Sequence, residues 1–486
     1  MKSIQKPNIS RILSENSIQN ISIHTDYIED GCAFCITKYI PEYVDLAISK
    51  GAKAIISELD IEDLPHNVSL IKVPDIQFFI REACRILYTR RPQMLIGITG
   101  TSGKSSIVDF CRQVSSLLGY QSASIGTVGI FCSDSNIERK VRGKFNINLT
   151  TADIVTTYRL LDFFAMEGVD HVAFEVSSHG LDQGRVFGLE LDVACFSNLS
   201  QDHLDYHHTM QEYKEAKLKI FSQYMKQKGR AIILDNLYQD TDVKEALKGK
   251  DTFVVGYGES GFDYSGYAGE YLAIKNIALD NVSQKIEFLY NGKLYNTHLG
   301  MVGRYQAINA LMVVAIFLPL SNILEISALL PKLASVDGRL QRVTAVDHKF
   351  HIFVDFAHKP EALEKCLKEL KENCSGRLIV VFGCGGNRDK GKRSIMGKIS
   401  SEIADIVIVT DDNPRFEDAA AIRKDILEST QGAIEIAGRG KAIEKAVSIL
   451  EDGDILLVAG KGHEKYQIID GKEIYFDDVE EVRKHI

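Results

Sequence analysis

A chain of 486 residues with 45% hydrophobic and 25% charged content can bury a core in each of several domains, which excludes a disordered or fibrous protein. Its formal net charge of −9 includes no long basic block, so the footprint of a nucleic-acid binder is absent and anionic ligands must be met by local lysines and arginines. Nine cysteines without framework spacing fit reduced thiols, the N-terminus lacks a secretory apolar core, and the longest apolar run, 310–320, is half a membrane span broken by Pro319. A cytoplasmic protein without membrane insertion is expected.

Three α/β regions follow one another along the chain. Residues 1–93 carry short strand-like runs at 33–37, 54–57 and 70–73 between helical stretches, with a boundary near Arg90-Arg91-Pro92. Cys32 and Cys35 form one C-x-x-C without a second pair or nearby histidine; small apolar strand residues are set there against a metal or redox role. Residues 94–332 alternate strand runs (94–99, 171–177, 193–199, 231–235) with helices, which predicts a mostly parallel sheet covered on both faces; a β-rich, glycine-dotted interval spans 253–300. Residues 333–486 restart the alternation with runs at 351–356, 378–382, 406–410 and 455–459 and a helix over 360–372 whose Pro360 suits a first turn. Polar clusters fall at the carboxyl ends of these strands, where open α/β sheets bind ligands.

The segment MLIGITGTSGKSS, 94–106, carries the most information. A strand-prone run enters the loop Gly100-Thr101-Ser102-Gly103-Lys104-Ser105-Ser106 and opens into a helix marked by Ile107, Phe110, Val114 and Leu117, with Gly119 as its stop. In such a loop backbone N–H groups converge on phosphate oxygens, the lysine adds a point charge and the next hydroxyl ligates Mg2+. Ile98 occupies the first-glycine position of the usual G-x-x-x-x-G-K-[ST] pattern, so a glycine-rich turn serving only packing is the alternative.

In HVAFEVSSHGLDQGR a strand delivers Glu175, then Ser177, Ser178, His179, Gln183 and Arg185, into a polar turn. A strand-end carboxylate suits Mg2+ held by phosphates; a buried, hydrogen-bonded glutamate is the plainer reading. In FSNLSQDHLDYHHTMQEYKEAKLKIF, Thr209 and Glu212 form a capping box, and Tyr213, Ile220, Phe221 and Tyr224 mark an apolar stripe on which Lys217 falls. Apolar surroundings raise the neutral fraction of an amine, which can then take up CO2 as an anionic carbamate able to ligate Mg2+; a snorkelling lysine is the alternative. His203 is a second candidate metal ligand or a structural histidine at a turn. The third region adds VDGRLQRV with Arg339, DFAHKPEAL with Asp355 and His358, GCGGNRDKGKR with Arg388, Lys392 and Arg393, DDNPRFED with Asn413 and Arg415, and AGKGHEKYQ with Gly460, Lys461 and Glu464. Arginines on strand-end loops suit carboxylates or phosphates, with solvated charged loops as the alternative.

Taken in order, TGTSGKSS, LTTAD, EVSSHGLDQGR, NLSQDHLDYH with EAK, the Asn309 segment, DFAHKPEAL, DDNPR and AGKGHE resemble the Mur ligases of peptidoglycan synthesis over about residues 94–486. The resemblance implies an N-terminal uridine-binding domain (1–93), a central P-loop ATPase-type domain (94–332) and a C-terminal Rossmann-like domain (333–486) that closes over the amino-acid substrate. It implies a monomer that uses ATP, Mg2+ and CO2, the last as a carbamate on Lys217, and whose only partners are small-molecule substrates. Lys104, Lys217, His203 and Glu175 would be catalytic, with Ser105, Glu175, His203 and carbamylated Lys217 on the metal. Gly100, Thr101, Ser102, Gly103, Lys104, Ser105, Ser106, Asn309, Arg339, Asp355 and His358 would bind ATP, and Thr150, Thr151, Ser177, Gln183 and Arg185 the UDP-muramoyl dipeptide.

Arg388, Asp412, Asn413, Pro414, Arg415, Gly460 and Glu464 would bind diaminopimelate. Within this family the arginine of DNPR marks the diaminopimelate-adding members, because that substrate carries a second carboxylate that lysine lacks. The chain departs from the family pattern at Asn387, Gln306 and Gln341, where aspartate, asparagine and glutamate are usual. His24-Thr25-Asp26 replaces a D-S-R element before Gly31, and a G-x-x-x-D-G stretch is missing between Thr37 and Tyr43, so no uridine contact is assigned. The rival expectations are a lysine-adding or folylpolyglutamate-type ligase and a degenerate, non-catalytic nucleotide-binding protein.

Overall fold

Residues 8–145, 149–280 and 282–486 are described by a computed structural model, and they divide into two units, the first built from residues up to 104 with 111–254 and the second from 105–110 with 255–486. The first unit opens with a four-stranded parallel sheet, Ile21–Ser22, Ala33–Cys35, Ala54–Ser57 and Ser69–Lys72 in that spatial order. Cys32 and Cys35 are free and buried, and burial pushes the Cys32 thiol up to about 11 and holds the Cys35 thiol well above its ordinary range. Protonated, desolvated thiols are poor nucleophiles, and of the C-x-x-C pair Cys35 ends the strand Ala33–Cys35 while Cys32 lies just before it.

The larger sheet of this unit runs Met225–Leu234, Leu191–Phe196, Met94–Thr99, His171–Glu175, Ser122–Gly126, Gly129–Cys132, parallel throughout except for the last pair. Met94–Thr99 lies between two parallel neighbours, so its aliphatic run is buried on both faces; Leu95, Ile96 and Ile98 are core residues. Register places Ile98 opposite Glu175 and Thr99 opposite Phe196, which aligns the carboxyl ends of three adjacent strands. The run over 193–199 stops being a strand at Phe196 because Ser197 and Asn198 turn to bond the glycine loop, and the run over 231–235 starts earlier, at Met225, where it pairs with Leu191.

In the second unit Glu270–Asp280, Ser283–Tyr290 and Lys293–Leu299 form an antiparallel meander. The helix Arg304–Phe317 is buried from Gln306 to Phe317, which accounts for the apolar run near 310–320: it is a core helix, apolar all round. Among the described residues no helix is long and apolar enough to cross a membrane.

The last sheet runs Gln341–Arg342, His351–Asp355, Ile455–Ala459, Leu378–Phe382, Ile406–Val409, Ile434–Glu435, with only the first pair antiparallel. Alternate strand residues enter two separate cores. Phe353, Val380 and Leu457 pack with Leu363, Met396 and Ile422, whereas Val354, Val381 and Val458 pack with Ile443, Ala446 and Val482. Helices therefore cover both faces, and strands with no polar side can only be central strands of a doubly wound sheet. The chain passes from His351–Asp355 to Leu378–Phe382 over the strand Ile455–Ala459, leaving the carboxyl ends of these three strands as the switch point of the sheet.

Candidate active site

The glycine loop is held from below by the turn after Leu191–Phe196. Asn198 Oδ1 accepts from Ser102 N at 2.9 Å, Asn198 Nδ2 and Ser197 Oγ donate to Ser102 O at 2.9 and 2.7 Å, and Thr101 N donates to Asn198 O at 3.0 Å. Gly100 takes φ +150°, and a Cβ there would lie 2.0 Å from Ser197 Oγ, so the close approach admits only glycine. Gly103 at φ +82° turns the chain into the helix Lys104–Leu117, whose first turn carries Ser105 and Ser106. Lys104 Nζ donates to Gly100 O at 2.9 Å and Thr101 O at 3.1 Å. A helix N-terminus, a glycine loop and an ammonium in one place form an anion cradle.

Glu175 ends its strand 2% exposed, accepting from Thr127 N at 2.9 Å and Thr127 Oγ1 at 3.2 Å. Gly126 makes room for it, since a Cβ there would meet Glu175 Oε1 at 2.2 Å. The network continues without a break: Thr127 Oγ1 is 3.0 Å from Thr150 Oγ1, and the Thr151 hydroxyl accepts from Ser177 N at 2.8 Å and lies 3.1 Å from both Glu175 O and Ser177 Oγ. Arg185 donates to Thr151 O at 2.7 Å and, through Nε and NH2, to Gln183 Oε1 at 3.0 and 2.7 Å. All five residues assigned from the sequence to the dipeptide substrate thus form one polar surface with Glu175.

Lys217 projects from the helix Met210–Ser222, which Thr209 caps by accepting from Glu212 N at 3.1 Å. It is 1% exposed, its Nζ donates to Gly100 O at 2.9 Å, and the amine sits 4.5 Å from the centre of the Tyr213 ring. This is no snorkelling lysine: burial, and then the nearby Lys104 charge, hold the amine well below the usual lysine range. Tyr213 also reaches the loop, 3.2 Å from Thr101 Oγ1. His203, in the left-handed region at φ +53°, has Nε2 3.5 Å from Asp202 Oδ2 and packs edge-on against His179 at 4.9 Å. Burial, reinforced by Arg185, pulls the His179 pKa down. The loop, Glu175, His203 and Lys217 therefore occupy one end of one sheet. Among the described residues no three His, Cys, Asp or Glu side chains converge as a metal cage. The available donors are instead the Glu175 carboxylate, the Ser105 hydroxyl, the His203 ring and the buried Lys217 amine near the glycine loop, and the oxygens among them suit Mg2+ shared with phosphates.

The second unit gathers its own group. Asp355 is buried, accepting from Leu340 N at 2.6 Å and Ala357 N at 2.7 Å; burial raises its pKa against the pull of Arg339. The Arg339 guanidinium stacks 5.0 Å from the Phe356 ring, and His358 Nδ1 lies 2.9 Å from Phe356 O, which makes that nitrogen a donor. Asn309 is buried and donates to Gln306 Oε1 at 2.9 Å, so glutamine at 306 serves as its acceptor.

Around the switch point, Asn413 Nδ2 donates to Glu464 Oε2 at 3.1 Å and Asn413 N to Asp412 Oδ1 at 2.7 Å. Gly460, at φ +116°, leaves space for Asp412, whose Oδ2 would lie 2.8 Å from a Cβ there. Arg415, at φ +55°, donates through NH1 to Gly386 O at 2.9 Å, and Gly386 admits the Pro414 carbonyl, which would stand 2.0 Å from a Cβ. Arg388 is exposed and makes no ion pair among the described residues, whereas Arg393 is buried between Glu417 and Asp425 as a structural tie. Asn387 caps the same loop, its Oδ1 accepting from Phe416 N at 3.0 Å.

Comparison with known proteins decides the family. The Mur ligase middle domain matches residues 98–317, and the Mur ligase, glutamate ligase domain matches residues 338–462. Proteins named UDP-N-acetylmuramoyl-L-alanyl-D-glutamate–2,6-diaminopimelate ligase from Rickettsia bellii and Agrobacterium fabrum are 38% and 40% identical, the first over 98% of this chain and 97% of its own, the second over 91% and 86%. The chain belongs to the Mur ligase family. A solved structure of a ligase with that same name superposes with a TM-score of 0.67 at 30% identity, covering 96% of this chain and 94% of the other. MurF ligase from Thermotoga maritima in complex with ADP shares the fold, with a TM-score of 0.62 at 17% identity and 97% of each chain covered.

Sequence reasoning missed Thr127, Asn198 and Tyr213 in this Mur ligase. Thr127 reaches Glu175 from the neighbouring strand end and Asn198 reaches the glycine loop from the next. Neither has a local pattern; only the sheet order, which sequence spacing does not encode, brings them in. Tyr213 was assigned to the apolar stripe, and its hydroxyl does the unpredicted work.

Proposed function

We propose that the chain is an ATP-dependent acid–amino-acid ligase that adds meso-2,6-diaminopimelate to UDP-N-acetylmuramoyl-L-alanyl-D-glutamate in cytoplasmic peptidoglycan-precursor synthesis. The observation that carries this reading is Arg415. One nitrogen of its fork is spent on Gly386 O, and among the described residues its other N–H donors have no partner. A half-buried guanidinium on the loop that also carries Asn413 suits an amino acid with a second carboxylate, and lysine would leave it unpaired.

The loop N–H groups of 100–106 and the Lys104 ammonium would take the ATP phosphates, with Asn309, Arg339, Asp355 and His358 on the nucleoside side. Thr150, Thr151, Ser177, Gln183 and Arg185 would hold the acceptor. A γ-carboxylate oxygen of its glutamate attacks the γ-phosphorus, the bond to ADP breaks, and an acyl phosphate forms. The diaminopimelate amine, in its neutral form, attacks the acyl carbon; the C–O bond to phosphate breaks, inorganic phosphate leaves, and the nitrogen gives up a proton to phosphate or solvent as the amide forms.

A carboxylate and a polyphosphate repel at contact distance, so charge compensation dominates this site. Mg2+ would be held by Ser105, Glu175, His203 and a carbamate on Lys217, and when bound it supplies that compensation. The buried, neutral-favouring Lys217 amine supports the carbamate: its nitrogen forms a bond to CO2 and releases a proton. The test is phosphate release from ATP. It should require both the nucleotide acceptor and diaminopimelate; no release with both present would favour a non-catalytic nucleotide binder, and release that ignores either would overturn the ligase reading.

A further inference from the structure

Lys461 lies fully buried, 0% exposed, just past the strand Ile455–Ala459 and among the residues proposed to receive the amino acid. Its Nζ is 3.2 Å from Asn413 Oδ1 and 3.4 Å from Glu464 Oε2, and it also donates to Tyr466 O. An ammonium has three N–H donors and no acceptor, so these partners use it completely and none remains for a substrate. Its effect must pass through the side chains it touches.

Those side chains have little freedom left. Asn413 Oδ1 accepts from Lys461 Nζ and, at 3.1 Å, from Ile468 N, so this end of the amide is the oxygen; the flipped amide would set NH2 against two donors. Nδ2 is thereby directed to Glu464 Oε2 at 3.1 Å. Glu464 Oε2 receives both Asn413 and Lys461, while Oε1 has no hydrogen bond among the described residues. Beneath the same loop, Arg439 is fully buried in a pair with Asp478 and donates to Ala459 O at 3.0 Å, which fixes the strand end from which Gly460 and Lys461 depart.

We infer that Lys461 is a positioning residue for the amino-acid substrate. It holds the Asn413 amide and the Glu464 carboxylate in the one arrangement that leaves Glu464 Oε1 for the substrate ammonium and the second N–H of Asn413 Nδ2 for its carboxylate. The inference rests on reading these loops as the amino-acid site. A merely structural lysine, tying the loop to Tyr466, would disturb all substrates alike.

The test uses Lys461→Met in the full-length enzyme, with separate KM values for diaminopimelate, ATP and the nucleotide acceptor. KM for diaminopimelate should rise by about tenfold or more, the cost of stranding buried polar partners, while the other two stay within about twofold. Lys461→Arg, which keeps charge and donors, should recover part of the rise. A folded Lys461→Met enzyme with unchanged KM for diaminopimelate, or with all three values rising together, would overturn the inference. If Lys461→Met does not fold, Lys461→Gln carries the same measurement, and failure of both to fold assigns the residue to stability and rejects the role. Wild-type enzyme is assayed first with diaminopimelate and with lysine: refusal of diaminopimelate counts against the proposed function, whereas the variant's KM shift for whichever amino acid the wild type uses decides Lys461.

Discussion

Lys217 is the proposed carbamate site of the first unit. Its amine is buried against Gly100 O and the Tyr213 ring, and desolvation favours the uncharged form. Only the neutral amine reacts with CO2, so the lowered pKa gives a larger reactive fraction at neutral pH than an ordinary lysine has, and occupancy of the proposed carbamate should fall as the solution is acidified. Carbon-13 NMR after addition of labelled bicarbonate should show a carbamate resonance that weakens reversibly below neutrality and is absent from Lys217→Ala. That variant should lose turnover by about a hundredfold or more, partly restored by added short carboxylates. Full activity without rescue would remove the carbamate from the account. The sequence placed Lys217 on an apolar stripe but left the choice between snorkelling and burial open, because periodicity gives a face of a helix and not the depth to which it packs.

At the scale of elements, the strands Met94–Thr99, Leu378–Phe382 and Ile455–Ala459 and the helix Pro360–Glu372 have the bounds read from the sequence, since each is a continuous apolar or periodic run closed by a turn signal or a first-turn proline. Ends set by tertiary bonds were not legible: Ser197 and Asn198 leave their strand to hold the glycine loop. That contact carries its own prediction. Gly100→Ala would drive a Cβ into Ser197 Oγ at a backbone angle unfavourable to alanine, costing about 2–4 kcal/mol of stability and opening the loop. Thermal melting and nucleotide titration should show a lower midpoint and weakened ATP binding; an unchanged melting curve with normal ATP affinity would contradict the packing described.

For the whole molecule, α/β class and the restart of alternation after about residue 333 were legible because buried parallel strands must be apolar on both faces. Which strand lies beside which was not, since crossover order leaves no trace in local spacing; yet that order assembles the Glu175–Thr127 pair in the first unit and the Asn413–Glu464 pair in the second. Arg415, with Asn413 and Glu464, is proposed to select a diamino acid bearing a second carboxylate, which the chain joins to a nucleotide-linked glutamate. The most direct test of this selection is a ligation reaction offering meso-diaminopimelate and L-lysine in parallel, with ATP and the nucleotide dipeptide, read by mass spectrometry of the product. The diaminopimelate adduct should form with kcat/KM higher by about a hundredfold or more; equal or preferred incorporation of lysine would contradict the account.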